Sequence, residues 1–315
     1  MALIAVMVLV ASTLVGWAVT VPLHRFCEDD AGEGFAVTCV AACERCGAEV
    51  RPVDVAPLRS WFGPGRRCSH CGASRGWSWV APQAAIPMLA VITTLAIGPT
   101  ASVPVYGLFV VVLVVASVID LRTMLIPRQV IWVGMAGGLA LMGGVSLWTG
   151  DVGRLGGAVI GAVGYFAFLW VTSLISPGGM GMGDVRLGSL IGLYLGWLAW
   201  PLIAAALLLG SVVGIAQGLF ATGLSGRRQA FPFGPALAAG ALMTVWAHQP
   251  ILDLLVCSRR TGCRLRHATS TSGRPPHRST PSALSPHPCR AWGSSRRPGC
   301  PMSSGCPGRR RPGHR

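Results

Sequence analysis

Lysine is absent from this 315-residue chain and acids are scarce: 11 Asp and Glu stand against 26 basic residues, all of them arginine. Only 12% of residues are charged while 52% are hydrophobic, and the mean hydropathy is +0.57. Such a shortage of charge excludes an ordinary soluble domain and points to a polytopic membrane protein. The missing lysine suggests a GC-rich gene. A net charge of +15 would suit a nucleic-acid partner, but its distribution argues against one. Residues 257–315 hold 13 of the 26 basic residues and no acid, so residues 1–256 carry 13 basic against 11 acidic residues, a net +2. That tail has no repeat, no apolar periodicity, little aromatic interleaving and five cysteines at no metal spacing. Its Arg, Pro, Ser and Gly content predicts disorder, and a shifted reading frame in a GC-rich gene would yield the same composition. No nucleic-acid partner is expected.

Apolar sequence is what the chain has in quantity. Runs at about 2–22, 83–98, 103–119, 130–148, 155–176, 187–200, 201–222 and 233–255 each approach the length a helix needs to cross a bilayer. They predict an all-α fold, a polytopic integral membrane protein of about eight transmembrane helices, with the lipid bilayer as its surroundings. The first run has no basic n-region and no small-residue cleavage pattern, so it reads as a retained helix and not a signal peptide. Arginines in the short loops set the orientation. Arg122 and Arg128, then Arg186, then Arg227 and Arg228 fall in alternate loops, the loop after the first run adds seven more, and the opposite loops hold only Arg154. The arginine-bearing loops are therefore expected in the cytoplasm and the N-terminus outside. The expected organisation is a first helix at 1–22, a cytoplasmic loop at 23–82, a membrane core at 83–256 and the tail at 257–315.

Within the loop, Cys43 and Cys46, then Cys68 and Cys71, make two C-x-x-C knuckles separated by 21 residues. A glycine follows each knuckle and permits the tight turn around an ion. This is close to a four-cysteine zinc spacing. The alternative, a pair of disulfides, requires an oxidising compartment. Arginine topology places the loop in the cytoplasm, which favours zinc. Four thiolates leave no open coordination position, so the ion is expected to be structural.

Beyond Asp54 only four acids remain, all aspartate: Asp120, Asp151, Asp184 and Asp253. A carboxylate near the bilayer core costs about 2.5–3.5 kcal/mol on insertion scales, so it needs a partner, a wet cavity or a task. Span parity puts Asp120 and Asp184 at the cytoplasmic face and Asp151 and Asp253 at the other. Taken singly, Asp184 could cap a helix beginning at Val185, and Asp120 could be an interfacial residue near Arg122. Taken together, two carboxyls in a low-dielectric site share a proton, so that one acts as base on a water and the other as acid. That is the chemistry of aspartic proteolysis. In "GGMGMGD", Gly181 and Gly183 supply backbone without side chains, suited to close approach by an extended substrate strand. A transporter or channel that relays protons or cations through Asp120 and Asp184 is the alternative. It leaves the two knuckles unexplained, and the chain shows no internal repeat.

The combination of "DLRTMLIP" at 120–127, "GMGD" at 181–184 and "FPFGPALAAGAL" at 231–242 resembles the type IV prepilin peptidases, intramembrane aspartyl proteases with a G-x-G-D motif. The two knuckles are similar to the zinc-binding loop of bacterial members, and the resemblance covers roughly residues 1–250 in order. It implies that Asp120 and Asp184 form the catalytic pair. It implies an enzyme of the bacterial inner membrane that cuts a short basic leader from prepilin-like precursors after a glycine, at the cytoplasmic face. Many members also methylate the new N-terminus with S-adenosylmethionine. Here "GWAVTVPLHRF" at 16–26 departs from the family's small, polar, Asn-containing pattern, so the sequence carries the peptidase pattern and leaves methylation open.

Overall fold

The apolar runs become helices, and their order fixes which ends meet. The computed structural model describes residues 2–24, 27–28, 35–36, 41–43, 45–57, 67–175, 181–225 and 232–259, all within one compact unit, Met1–Cys263. Among the described residues there are nine α-helices: α1 (Ala2–Leu23), α2 (Ala81–Ile97), α3 (Val103–Thr123), α4 (Arg128–Thr149), α5 (Gly153–Ile175), α6 (Met182–Leu198), α7 (Leu202–Ser225), α8 (Gly234–Trp246) and α9 (His248–Arg259). A two-residue antiparallel ladder, β1 (Cys27–Glu28) with β2 (Phe35–Ala36), lies in the loop after α1. The fold is all-α in character. Five helices, α1, α3, α4, α5 and α7, are long and apolar enough to cross a membrane, so the chain is a multi-pass membrane protein.

The expected eight spans are not all matched by length. Helices α2 and α6 have 17 residues and α8 has 13. The last run is not one helix but two, broken at Ala247. Pro250 accounts for the break: it has no N–H to give to Trp246, and its ring would collide with that carbonyl in a continuous helix. The His248 ring caps the broken end, its Nδ1 lying 2.8 Å from the Val245 carbonyl. Helix α9 runs to Arg259, past the boundary set at 256. The disorder expected of the rest of the tail falls on 260–315, outside the described residues.

Glycine decides how closely the helices approach. At the α5–α6 contact, Gly157 and Gly161 face Gly192 and Gly196 backbone to backbone. A Cβ on Gly157 would lie 2.7 Å from the Gly196 carbonyl oxygen, and one on Gly161 or Gly192 would overlap the opposing carbonyl outright. In a membrane, where no hydrophobic force drives helices together, this close packing is the association energy. Gly188 receives the Tyr165 ring, a carbon of which would stand 2.8 Å from an added Cβ. Gly138 of α4 makes room for Tyr194, whose hydroxyl donates to the Gly134 carbonyl at 2.9 Å, and Gly134 makes room for Leu190 and Val112. Tyr194 also stacks on Phe109 with centroids 4.5 Å apart, and Tyr106 donates to the Tyr194 carbonyl at 3.2 Å. The Tyr106 and Tyr194 hydroxyls are thus satisfied by main chain, as an apolar interior favours, whereas the buried Tyr165 hydroxyl has no partner among the described residues.

Because successive helices run antiparallel, the C-termini of α1, α3, α5 and α7 share one end with the N-termini of α2, α4, α6 and α8. The opposite end carries an ion pair between Arg154 and Asp151 at 2.7 Å, with the Arg154 guanidinium 5.7 Å from the centroid of Trp197. Trp197 and Asp184 lie 13 residues apart on α6, about 20 Å at 1.5 Å per residue. Asp151 and Asp184 therefore sit at opposite ends of the bundle.

Candidate active site

Asp120 occupies the last turn of α3 and is buried, at 4% exposure. Immediately after it the chain reverses. Met124 takes the left-handed conformation (φ 53°), unusual for a bulky residue, and donates its N–H to the Asp120 carbonyl at 2.8 Å. Pro127 then caps α4 and holds the preceding residue extended. The turn delivers Ile126, buried, to the middle of the site. A Cβ on Gly183 would meet the Ile126 Cβ at 3.1 Å, and a Cβ on Gly234 would meet its Cδ1 at 3.3 Å. Ile126 thus joins the starts of α6 and α8.

Across this joint the two carboxyls come to one end. Oδ2 of Asp120 accepts the main-chain N–H of Gly234 at 2.9 Å. That N–H opens α8 and has no partner within its own helix. Asp184 lies in the first turn of α6, half-buried. Helix α6 begins at Met182 with Gly181 as its N-cap, so Asp184 is not the capping residue. Its N–H and that of Val185 both reach the Gly181 carbonyl, at 3.1 and 3.4 Å. Each carboxyl therefore stands at a helix N-terminus, where the dipole favours negative charge. The two share one joint, since Gly183 beside Asp184 and Gly234 beside Asp120 both close on Ile126. Gly181 is exposed beside the Asp184 carboxyl, whereas Gly183 is held against Ile126. Asp253 is exposed on α9.

The four cysteines form a second centre. Their sulfurs all lie within 4.8 Å of one another, with Cys43 to Cys71 at 3.8 Å and Cys46 to Cys68 at 3.7 Å. These separations are too long for disulfides, which need about 2.05 Å. They match the edge of about 3.8 Å of a tetrahedron of sulfurs at roughly 2.3 Å from a zinc ion. The two knuckles repeat one geometry. Gly47 and Gly72 both take positive φ (70° and 69°) and donate to the carbonyls of Cys43 and Cys68 at 2.9 and 3.0 Å. Main-chain N–H groups of Cys71 and His70 point at Cys68 and bring its thiol down to about 6, while those of Arg45 and Cys46 lower Cys43. The Ala48 N–H likewise favours the Cys46 thiolate, but the thiols of Cys71, Cys68 and Cys43 crowd around it and push it up to about 12. Four thiolates in this space call for a cation, and the donor set fits zinc.

A clasp ties this loop to the bundle. His24, buried just beyond α1, has Nδ1 2.9 Å from the Thr20 carbonyl and Nε2 3.1 Å from the Ser78 hydroxyl. Nδ1 therefore donates and Nε2 accepts the Ser78 proton. The ring stacks on Trp79 with centroids 3.5 Å apart. Burial brings His24 down to about 4; the Thr20 bond opposes the shift and the charge of Arg122 adds to it. The joint lies where α1 ends and α2 begins, which is the end of the bundle where α3 finishes.

Two family models match the chain: the type IV leader peptidase family over residues 107–219 and the bacterial peptidase A24 N-terminal domain over residues 10–97. A prepilin leader peptidase/N-methyltransferase of Burkholderia pseudomallei (strain 1026b) is 32% identical over 243 residues, covering 73% of this chain and 74% of the relative. Proteins of the same name from Aeromonas salmonicida (strain A449) and Bacillus subtilis (strain 168) are 33% and 27% identical, covering 65% and 69% of this chain and 71% and 85% of theirs. The chain belongs to the type IV leader peptidase family. It is a peptidase. No solved structure matches it. Both Asp120 and Asp184 lie within the leader peptidase match, and the four cysteines lie within the N-terminal match.

Three features of the chain are not evident from sequence motifs alone: the Gly234 N–H on Asp120, the Ile126 joint and the His24 clasp. Each contact spans a long stretch of chain, 114 residues for Gly234 to Asp120 and 54 for His24 to Ser78. The local signals were Gly-Pro at 234–235 and Ile-Pro at 126–127.

Proposed function

We propose that this chain is an intramembrane aspartic endopeptidase that removes the leader from type IV prepilin-like precursors at the cytoplasmic face of the bacterial inner membrane. The observation that carries the proposal is the meeting of Asp120, Gly234, Ile126, Gly183 and Asp184 at one end of the bundle. Asp120 and Asp184 hold a water between them. One carboxylate takes a proton from the water as its oxygen attacks the scissile carbonyl carbon, and the other carboxyl gives its proton to the carbonyl oxygen. Collapse of the tetrahedral adduct breaks the C–N bond, and the leaving amine carries off a proton. The Gly234 N–H fixes the orientation of the Asp120 carboxyl. Gly181 leaves the backbone beside Asp184 open to an extended substrate strand, and Gly183 lets the Ile126 turn close on α6.

Cys43, Cys46, Cys68 and Cys71 hold one structural zinc, which cross-links the two knuckles. The loop they shape is tied to the bundle through His24, Ser78 and Trp79. The relatives' names join an N-methyltransferase to the peptidase, and we extend that second activity to this chain, with S-adenosylmethionine as methyl donor. The segment from 257 onward is assigned no part in the chemistry. Purified chain in liposomes, given a synthetic prepilin peptide, is expected to release the leader at its glycine junction. Proton or cation flux without cleavage would contradict the proposal.

A further inference from the structure

Met124 combines two costs. It closes α3 with a left-handed backbone (φ 53°), the only positive φ outside glycine among the described residues, and its side chain is 56% exposed. Helices that end in this conformation do so on Gly or Asn, which bear it with little strain. A methionine here is favoured neither by backbone nor by solvent. Residues held against local preference in this way cluster at binding and catalytic sites, and this one stands a single turn from Asp120.

The surroundings narrow what the side chain meets. Arg122 and Arg128 flank the turn, which sets it at the water-facing end of the helices and not among lipid tails. Leu125 is 43% exposed and Met182 46%. A Cβ on Gly183 would lie 3.4 Å from the Ile126 main-chain nitrogen, so Leu125 and Met182, the residues next to those two, border the joint from its two sides. Met124, Leu125 and Met182 therefore make an apolar rim beside the carboxyls. Arg122, Arg128 and Arg186 stand on the same elements and repel a basic segment. The occupant that suits the rim is apolar and carries no basic residue. Methionine, unbranched and polarizable, adapts to apolar side chains of differing shape. We propose that Met124, with Leu125 and Met182, is a specificity rim that receives an apolar stretch of the substrate peptide beside the scissile bond. The inference rests on the peptidase reading above.

The test is binding of a fluorescent prepilin peptide, its scissile amide reduced to CH2–NH so that it cannot be cut, to the full chain in nanodiscs of neutral lipid. Anisotropy is read against empty nanodiscs, and melting temperature is measured on the same samples. Met124→Gly should melt at or above the wild-type temperature, because glycine relieves the left-handed backbone, and yet bind roughly fivefold or more weakly. Met124→Leu, which restores an apolar side chain, should regain most of the lost affinity. Serine in place of the peptide's apolar residues should weaken binding to wild type and add little in Met124→Gly, whereas serine in place of its basic residues should affect both alike. Unchanged affinity in Met124→Gly overturns the rim. So does a fall in its melting temperature, which would make Met124 a packing residue, or coupling of Met124 to the basic residues of the peptide alone. Cleavage of unmodified peptide by the wild-type preparation separates the two readings. Cleavage with binding indifferent to Met124 overturns the rim and leaves the peptidase standing, whereas Met124-dependent binding without cleavage supports the rim and counts against the peptidase reading.

Discussion

Gly234 leaves no room for a side chain beside Asp120. A Cβ there would stand 2.6 Å from Oδ2 and 3.2 Å from the carboxyl carbon, well inside contact distance. Either the carboxyl swings away or the start of α8 retreats, and both break the 2.9 Å bond that orients Asp120. Gly234→Ala should therefore lower kcat for leader cleavage by roughly a hundredfold, the cost of misplacing a reacting group by about 1 Å, with membrane levels unchanged. Wild-type kcat in that variant would show that the bond does not position the carboxyl. The two aspartates were legible in the sequence because acids are so rare after Asp54. Gly234 was not, since nothing local shows that its N–H serves a residue 114 positions away.

At the scale of elements, α5 and α6 depend on glycines that meet without intervening side chains. Gly192→Leu would force a side chain into the Gly161 carbonyl and part the two helices. Overpacking of this kind costs about 1–3 kcal/mol. Because α6 carries Asp184, both melting temperature in detergent and cleavage should fall; a variant as stable as wild type would contradict the backbone-to-backbone contact. Apolar runs announced nearly every helix, since length and hydropathy govern insertion. They could not announce which glycines pair, because that depends on the neighbouring helix. The break at Ala247 lay inside an apolar run read as one span at 233–255, although His248, Gln249 and Pro250 interrupt it and carried the signal.

Across the whole molecule, the loop that carries the four cysteines is clasped to a membrane bundle through His24, Ser78 and Trp79. The four cysteines were legible because knuckle spacing is local. The clasp was not, because Ser78 and Trp79 have no motif of their own. Metal analysis should find about one zinc per chain, and Cys43→Ser with Cys46→Ser together should abolish it. Limited proteolysis of that variant should then cut within 41–80 while the helices stay intact. Four oxidised thiols and no metal would refute both the zinc site and the cytoplasmic placement of the loop.

The central claim is that Asp120 and Asp184 act as one pair, and matched cleavage assays test it most directly. Prepilin processing should be measured for wild type, Asp120→Asn, Asp184→Asn and Asp151→Asn at equal membrane levels. Either of the first two substitutions removes a carboxyl from the pair and should abolish leader removal. Asp151→Asn disturbs only the ion pair with Arg154 at the far end and should process normally. Substantial cleavage by Asp120→Asn or Asp184→Asn would contradict the account.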